Sequence, residues 1–251
     1  MIKDLLFIFK KIFISEKYIL KKRIKRSISK PLEPELVLLD QLCNKKELSI
    51  DVGVFRGVYS YKLSEYSEQV YGFEPNPVMF KYLNNNLTKI KKNIILHNYA
   101  LSNTEGYTKL KIPIRKKSIF KSNFEDYYEG GLATIEKDNQ LKNKIFDTFD
   151  VKKLRLDSFE FKQKIAFIKI DVEGHEFSVL IGGEKTLKKN KPNLLIEIDE
   201  QHSTKIKETF EYLKKLNYQP FYYDGNDLIK ISSYEENKRK DFKNFIFKNK
   251  N

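Results

Sequence analysis

Cysteine is almost missing from this chain: one residue, Cys43, in 251. An intrachain disulfide is therefore excluded, and so is a cysteine–histidine metal cluster. A single thiol suits a reducing compartment, and Cys43 sits in an apolar helical pattern where packing is its expected role. Long apolar runs are missing too. The longest, Leu5–Phe9, is far short of a membrane span. A secretory leader is not expected, because Lys10 and Lys11 interrupt that run and no small-residue cleavage site follows. Also absent are G-x-G-x-x-G, the glycine fingerprint of dinucleotide folds, and the Walker A sequence. No internal repeat is visible.

What remains is an ordinary globular composition, 40% hydrophobic and 33% charged, long enough for one domain with an appendage. The net charge of +14 is uneven. Residues 1–31 hold ten Lys/Arg against two acids, and residues 235–251 hold six against three. The organisation expected is a basic amphipathic helical extension over 1–31, a catalytic body over 32–234, and a basic Lys/Asn-rich tail over 235–251 that frays. Ile2, Leu5, Leu6, Phe9, Ile12 and Phe13 recur at helical spacing among lysines. Two readings of that segment stay open. It can lie on an anionic membrane surface, or it can dock on the domain and show its lysines to water.

The densest information lies between Leu48 and Pro77. A short apolar strand ends on Asp51, Gly53 and Gly57 open a helix, and a second apolar strand ends on Glu74. Strand, glycine loop, helix, strand, acid is the order of a Rossmann-like nucleoside site. Glycines let backbone approach a ligand, and an acid at the next strand tip can accept ribose hydroxyls. Val54 and Phe55 stand where a dinucleotide loop would carry its second glycine. An acid at Asp51 would repel a pyrophosphate but suits a cationic or zwitterionic ligand. S-adenosylmethionine, with an amino group, a sulfonium and a ribose diol, fits that pattern. A tight turn in another α/β protein, with Asp51 merely capping the helix, is the competing reading.

Beyond this, strands and helices alternate. Strands are expected at Ile94–Asn98, Tyr107–Ile114, Lys144–Val151, Ile165–Ile170 and Leu194–Ile198. Residues 115–143 read as a loop or lid, and Tyr218–Tyr223 with Asp227–Ser232 as a hairpin about Asp224-Gly225-Asn226. The strand Ile165–Ile170 runs into Asp171-Val172-Glu173-Gly174-His175-Glu176. Asp51, Glu74 and Asp171 would then share the carboxyl edge of one sheet, where open α/β sheets bind ligands. Asp171 is the first candidate for a general base and His175 the second. Glu173 and Glu176 can equally serve as charges at a helix N-terminus. Glu197 lies at another strand tip. No metal is assigned, although a metal-assisted version would use Asp171, Glu173 and Glu197.

Several ordered motifs now coincide: D-V-G-V-F-R-G-V-Y-S at 51–60, F-E-P-N-P at 73–77, A-L-S-N-T-E-G at 100–106, L-D-S-F at 156–159, K-I-D-V-E-G-H-E at 169–176 with V-L-x-G at 179–182, and Pro192 before L-L-I-E-I. Over Leu48 to Ile198 the chain resembles the FkbM-type S-adenosylmethionine-dependent methyltransferases. The resemblance implies an α/β fold with a Rossmann-like seven-stranded methyltransferase sheet, mainly parallel with an antiparallel C-terminal hairpin. It implies that Asp51, Gly53 and Gly57 line the methionine end of the cofactor, with Val54, Phe55 and Tyr59 also among the cofactor-binding residues. Glu74 and Pro75 would hold the ribose, Asn98 and Ala100 would border the adenine, and Asp171 would sit near the transferable methyl. Val54-Phe55-Arg56 departs from the family's usual Ala-Asn and a small residue. Family members are mostly O-methyltransferases on sugars or natural-product hydroxyls. The acceptor implied is a saccharide or lipid-linked glycan; the family says nothing about the basic N-terminal segment, from which a cytoplasmic location with peripheral contact at the inner face of a membrane is the separate expectation. A nucleic-acid methyltransferase is the alternative that charge suggests. Against it, no [DN]-P-P-[YF] follows the fourth strand, and acids there would repel a phosphate backbone. A membrane-associated module without turnover is a further alternative.

Overall fold

A computed structural model describes residues 15–114, 128–136, 145–234 and 242–250. The expected stripe from Ile2 to Phe13 and most of the expected 115–143 loop lie outside the described residues. The first helix, α1 (Glu16–Ser29), starts at Ser15, whose Oγ accepts from the Tyr18 N–H at 3.3 Å. A 3-10 turn (Pro34–Leu38) and a short α2 (Leu39–Leu42) follow. Then come β1 (Leu48–Val52), α3 (Val58–Leu63), β2 (Gln69–Phe73), α4 (Pro77–Ile90) and β3 (Ile94–His97). Pro77 at the first turn and Asn76 as cap, accepting from Val78 and Met79 N–H, fix where α4 begins.

A second, small sheet interrupts this alternation: β4 (Ala100–Leu101), β5 (Gly106–Pro113) and β6 (Phe146–Leu154), in the order β4-β6-β5. The chain then returns to β7 (Ile165–Ile170), α5 (Glu176–Gly182), α6 (Glu184–Asn190), β8 (Asn193–Glu197), α7 (Ile206–Lys215), β9 (Tyr218–Tyr223), β10 (Leu228–Lys230) and β11 (Asn244–Asn249). The main sheet runs β10-β9-β11-β8-β7-β1-β2-β3. Its pairs from β3 to β8 are parallel, while β11 is antiparallel to both neighbours and β10 to β9. Strands β1 and β7 lie at its centre and are buried on both faces, which is why they are mostly apolar, with Ser49, Asp51 and Lys169 buried among their hydrophobic residues.

Three corrections to the sequence reading follow. Among the described residues the main sheet has eight strands, not seven. The small sheet includes β4, which is too short to show a period. The tail expected to fray supplies β11, wedged between β8 and β9, with Phe245, Ile246 and Phe247 fully buried. Lysines and asparagines surround these three residues and mask them in composition, but a slot between two strands satisfies their backbone and buries both faces.

Helix α1 packs on α3 and α4 through Leu20 and Ile24, both buried, and leaves its lysines exposed. Docking is thus realised for residues 16–29. Cys43 is half-buried, and burial pushes its thiol up to about 11, which suits packing and not reactivity. Among the described residues no helix is long and apolar enough to cross a membrane.

Replacing Phe247 by Ala removes a buried ring from the slot between β8 and β9. Urea unfolding is expected to show a loss of about 3–5 kcal/mol. An unchanged midpoint would mean that this segment is a frayed tail after all.

Candidate functional site

The carboxyl ends of β1, β2 and β7 meet at one edge of the main sheet. Register places Asp51 on β1 beside Lys169 on β7, and side chains level in adjacent parallel strands share a face. Lys169 Nζ lies 2.7 Å from Asp171 Oδ2 and 4.4 Å from the Tyr59 ring centroid. Asp51 is fully buried; its Oδ2 accepts from Ser60 Oγ at 2.5 Å, and Oδ1 has no hydrogen-bond partner. Burial raises Asp51 to about 6, with Lys169 opposing. Burial works against the charge of Lys169 as well, but the two aspartates hold its pKa above the usual lysine range.

Gly53 follows β1 with φ of +89°, and a Cβ there would stand 1.9 Å from the Asp171 carbonyl oxygen. Glycine is required because the tips of β1 and β7 touch at this point. Gly57 (φ +75°) opens α3, and a Cβ there would press on Leu83 and Leu87 of α4. Its role is helix packing. Between them, Phe55 adopts φ of +45°, a left-handed conformation costly for a bulky side chain. That turn aims the Phe55 N–H at Glu74 Oε2, 2.7 Å away.

Glu74 is the anchor of the second strand tip. Its Oε1 accepts from the Asn76 N–H at 2.9 Å, and burial pushes the carboxyl up to about 7 against these two backbone donors. Asn98 ties this tip to the next, its Nδ2 donating to the carbonyls of Glu74 (2.8 Å) and Pro75 (3.0 Å).

These tips border one cleft. Of the residues singled out from the sequence, Gly53, Phe55, Glu74, Pro75, Ala100, Asp171, Glu173 and His175 line it. Asp51, Val54, Gly57, Tyr59 and Asn98 stand behind it and are not among its lining residues. The sequence reading missed Phe73, Tyr99 and Leu101, together with Leu110, Gly130, Gly131, Ala133 and Ile135 from the small sheet and the segment beside it. It also missed Lys169. A lysine inside an otherwise apolar central strand was the available signal, since a buried cation needs acids around it.

Acids crowd the β7 side. Oxygens of Asp171, Glu173 and Glu197 lie within 4.8 Å of one another, a spacing one divalent ion could bridge. Burial and the charge of Asp171 push Glu173 up to about 9, and the same two causes raise Glu197. Burial opposes ionisation of Asp171 too, but Lys169, with a hydrogen bond from Glu197, holds it below the ordinary aspartate range. One carboxylate of the group is thus kept ionised while its neighbours hold protons. Glu176 turns back as a cap, its Oε1 accepting from Gly174 N–H at 2.9 Å and Val172 N–H at 3.3 Å. His175 is engaged at both ring nitrogens, by Glu136 Oε1 at Nδ1 and by Ser102 Oγ at Nε2, the latter at 2.9 Å. In the L-D-S-F motif, Asp157 does structural work: its oxygens accept from the N–H groups of Lys185 and Thr186 and start α6.

The lining chemistry fits S-adenosylmethionine. Glu74, Asp171 and Glu173 offer acceptors, Asp171 adds negative charge, the remainder is largely apolar, and among the described residues no lysine or arginine lines the cleft to receive a phosphate.

The raised carboxyls set a stability prediction. Folded protein holds protons on Glu173 that unfolded chain releases above its ordinary 4.5. That contribution is complete below pH 4.5 and drains as pH rises through about 9. Chemical denaturation should therefore show falling stability between pH 6 and 9, with a shallower slope in Glu173→Gln. Stability recovered at pH 9 by magnesium would identify the cluster as a divalent-ion site, and equal stability at both pH values would contradict the assigned protonation.

The family model described as Methyltransferase FkbM domain matches residues 51–220, well over half of the chain. Among solved structures, the chain is similar to a methyltransferase FkbM from Methylobacillus flagellatus KT, with 15% identity, a TM-score of 0.48, and coverage of 81% of this chain but 44% of that one. The present chain therefore spans less than half the length of that relative. An rRNA methylase from Streptococcus thermophilus shows 13% identity, covering 86% of this chain and 95% of that one, at a TM-score of 0.46. SMU.1697c from Streptococcus mutans, in complex with SAH, shows 13% identity with the same coverage and a TM-score of 0.48. No curated protein matches the sequence. Structural likeness this distant says nothing of substrate, but the family match over the strand tips just described does establish membership: the chain belongs to the FkbM methyltransferase family.

Proposed function

We propose that the chain transfers the methyl group of S-adenosylmethionine to a hydroxyl oxygen, on a saccharide of a glycan or glycolipid or on a natural product. The observation that carries this reading is Asp171, a carboxylate lining the cleft and kept ionised by Lys169. The cofactor supplies a methyl group that is already activated. The protein must then align an oxygen and take its proton as attack develops. Each carboxylate oxygen has two acceptor sites, so Asp171 can take a further hydrogen bond while paired with Lys169. Glu74 keeps acceptor capacity in the same way and would hold the ribose hydroxyls. Leu101, Leu110 and Ile135 exclude water around them.

A nucleic-acid acceptor is disfavoured by the ionised Asp171 in the cleft, which would face a phosphate backbone whose neutralisation dominates affinity. A module without turnover would have no need to keep Asp171 charged. The membrane reading of residues 1–30 belongs to the same proposal. Exposed Lys17, Lys21, Lys22 and Lys25 can meet anionic lipid, each contributing on the order of 1 kcal/mol, and would bring the enzyme to a lipid-linked glycan.

Calorimetry should show that Glu74→Gln weakens cofactor binding by about 1.5–3 kcal/mol, because an amide donor would face the N–H of Phe55 or Asn76. Asp171→Asn should still fold, yet transfer label from the methyl donor into fractionated glycans about a hundredfold more slowly. Label found in RNA in place of glycans would refute the acceptor assignment, and full activity of Asp171→Asn would move the base elsewhere. For the membrane, vesicles containing phosphatidylserine should pellet the native chain but not one with the four exposed α1 lysines changed to Glu. Equal pelleting of both would leave α1 as a docked helix only.

A further inference from the structure

The chain Ser102–His175–Glu136 is not used by this mechanism, and it joins three separate parts of the molecule. Ser102 follows β4 and is 1% exposed. It is rigidly held: its N–H donates to the Leu154 carbonyl at 2.9 Å, and its own carbonyl fits so closely against Gly182 of α5 that a Cβ there would stand 2.0 Å away. His175 follows β7 and lines the donor cleft. Glu136 lies just beyond Gly130, Gly131, Ala133 and Ile135, which the described segment 128–136 contributes to that cleft.

Stereochemistry limits what His175 can do. A neutral imidazole has one donor and one acceptor nitrogen, with a single site on each. A carboxylate only accepts, so Nδ1–H donates to Glu136, while Nε2 lies 2.9 Å from the Ser102 hydroxyl, and both ring nitrogens are thereby engaged. Neither nitrogen retains a site for a substrate proton. Asp171, with several lone pairs, does not face this restriction.

Other contacts act in the same direction on the same segment. Thr134 exchanges backbone hydrogen bonds with Lys111 of β5 at 2.9 and 3.0 Å, and its Oγ1 donates to the Glu173 carbonyl at 2.8 Å. Lys111 Nζ donates to the Glu136 carbonyl at 3.3 Å. Gly131 lies against the Phe55 ring, where a Cβ would come within 3.3 Å of it.

We propose that His175 is a positioning residue and not the base: with Ser102 as its fixed anchor, it latches segment 128–136 over the donor cleft through Glu136, and the latch sets how long cofactor stays bound. The second half of this statement rests on the cofactor reading of the cleft. The first does not, which allows the two to be tested apart.

Two substitutions separate latch from base. Asn keeps a donor near Nδ1 and can still reach Glu136, whereas Ala cannot, and neither can accept a proton at neutral pH. In cofactor-free native chain, hydrogen exchange at the Lys111 and Thr134 amides should speed up about tenfold or more in His175→Ala and in Glu136→Ala, the scale of one charge-assisted hydrogen bond. It should rise less in His175→Asn, which keeps the contact to Glu136 and loses only the one to Ser102. Amides of β1 and β7 serve as the internal control for folding, and unchanged protection there keeps the comparison valid. If His175→Ala unfolds, Ser102→Ala and Glu136→Ala carry the same test. Stopped-flow release of S-adenosylhomocysteine should rank the variants in the same order. Native protection of Lys111 and Thr134 in His175→Ala would overturn the latch. Lost protection with no binding of S-adenosylhomocysteine by the native chain would leave the latch standing and overturn the cofactor reading. If His175→Asn keeps both protection and slow release but loses methyl transfer as fully as His175→Ala, then His175 is the base and the positioning role is refuted.

Discussion

The site depends on one buried ammonium. Lys169 is 4% exposed at the centre of the sheet, and three features converge on it: Asp51 beside it in register, Asp171 two residues on, and the Tyr59 ring. Take it away and two aspartates would face each other in a low-dielectric interior, where like charges cannot both persist. Breaking such a buried pair costs about 3–5 kcal/mol because the remaining charge is uncompensated. The ammonium also decides which carboxylate is ionised. Its contact with Asp171 leaves the proton on Glu197, so the charge stands where the cleft opens and the neutral acid lies behind it.

The two sheets divide the labour. The main sheet delivers acids at strand ends, a consequence of parallel strands all finishing on one edge. The small sheet delivers apolar side chains and a segment that closes on the cleft from outside. Phe55 is where they meet. Its unusual backbone turns an N–H toward Glu74, while its ring meets Gly131 on the covering segment. The same residue that departs from the family's usual loop is thus the point at which the cover rests on the loop.

Local chemistry was readable without coordinates; distant pairing was not. Asp51, Gly53, Glu74 and Asp171 announced themselves because each follows an apolar run, and strand ends in alternating βα units fall on a common edge. The exact span of β7, Ile165–Ile170, was legible for the same reason. Leu110 and Ile135 were not, because they reach the cleft through antiparallel pairing of β5 with β6 and a bridge at Thr134, contacts with no local signature. Asn98, which the resemblance places at the border of the adenine, also ties the strand tips together, its amide spanning two carbonyls of the neighbouring tip. The positive φ at Gly53 could be anticipated, but the reason for it, a carbonyl of another strand at the position of a missing Cβ, could not.

The position of β11 has a consequence for how the molecule comes into being. During synthesis, β8 and β9 emerge before residues 244–249 do, and until then each presents an unpaired edge of N–H and C=O groups to the cell. The central sheet cannot close in order of synthesis; it must hold a gap open and receive its last-made strand from the side. Nascent chains stalled short of this point would carry two sticky edges and an apolar slot, the kind of surface on which aggregation and chaperone capture compete with folding.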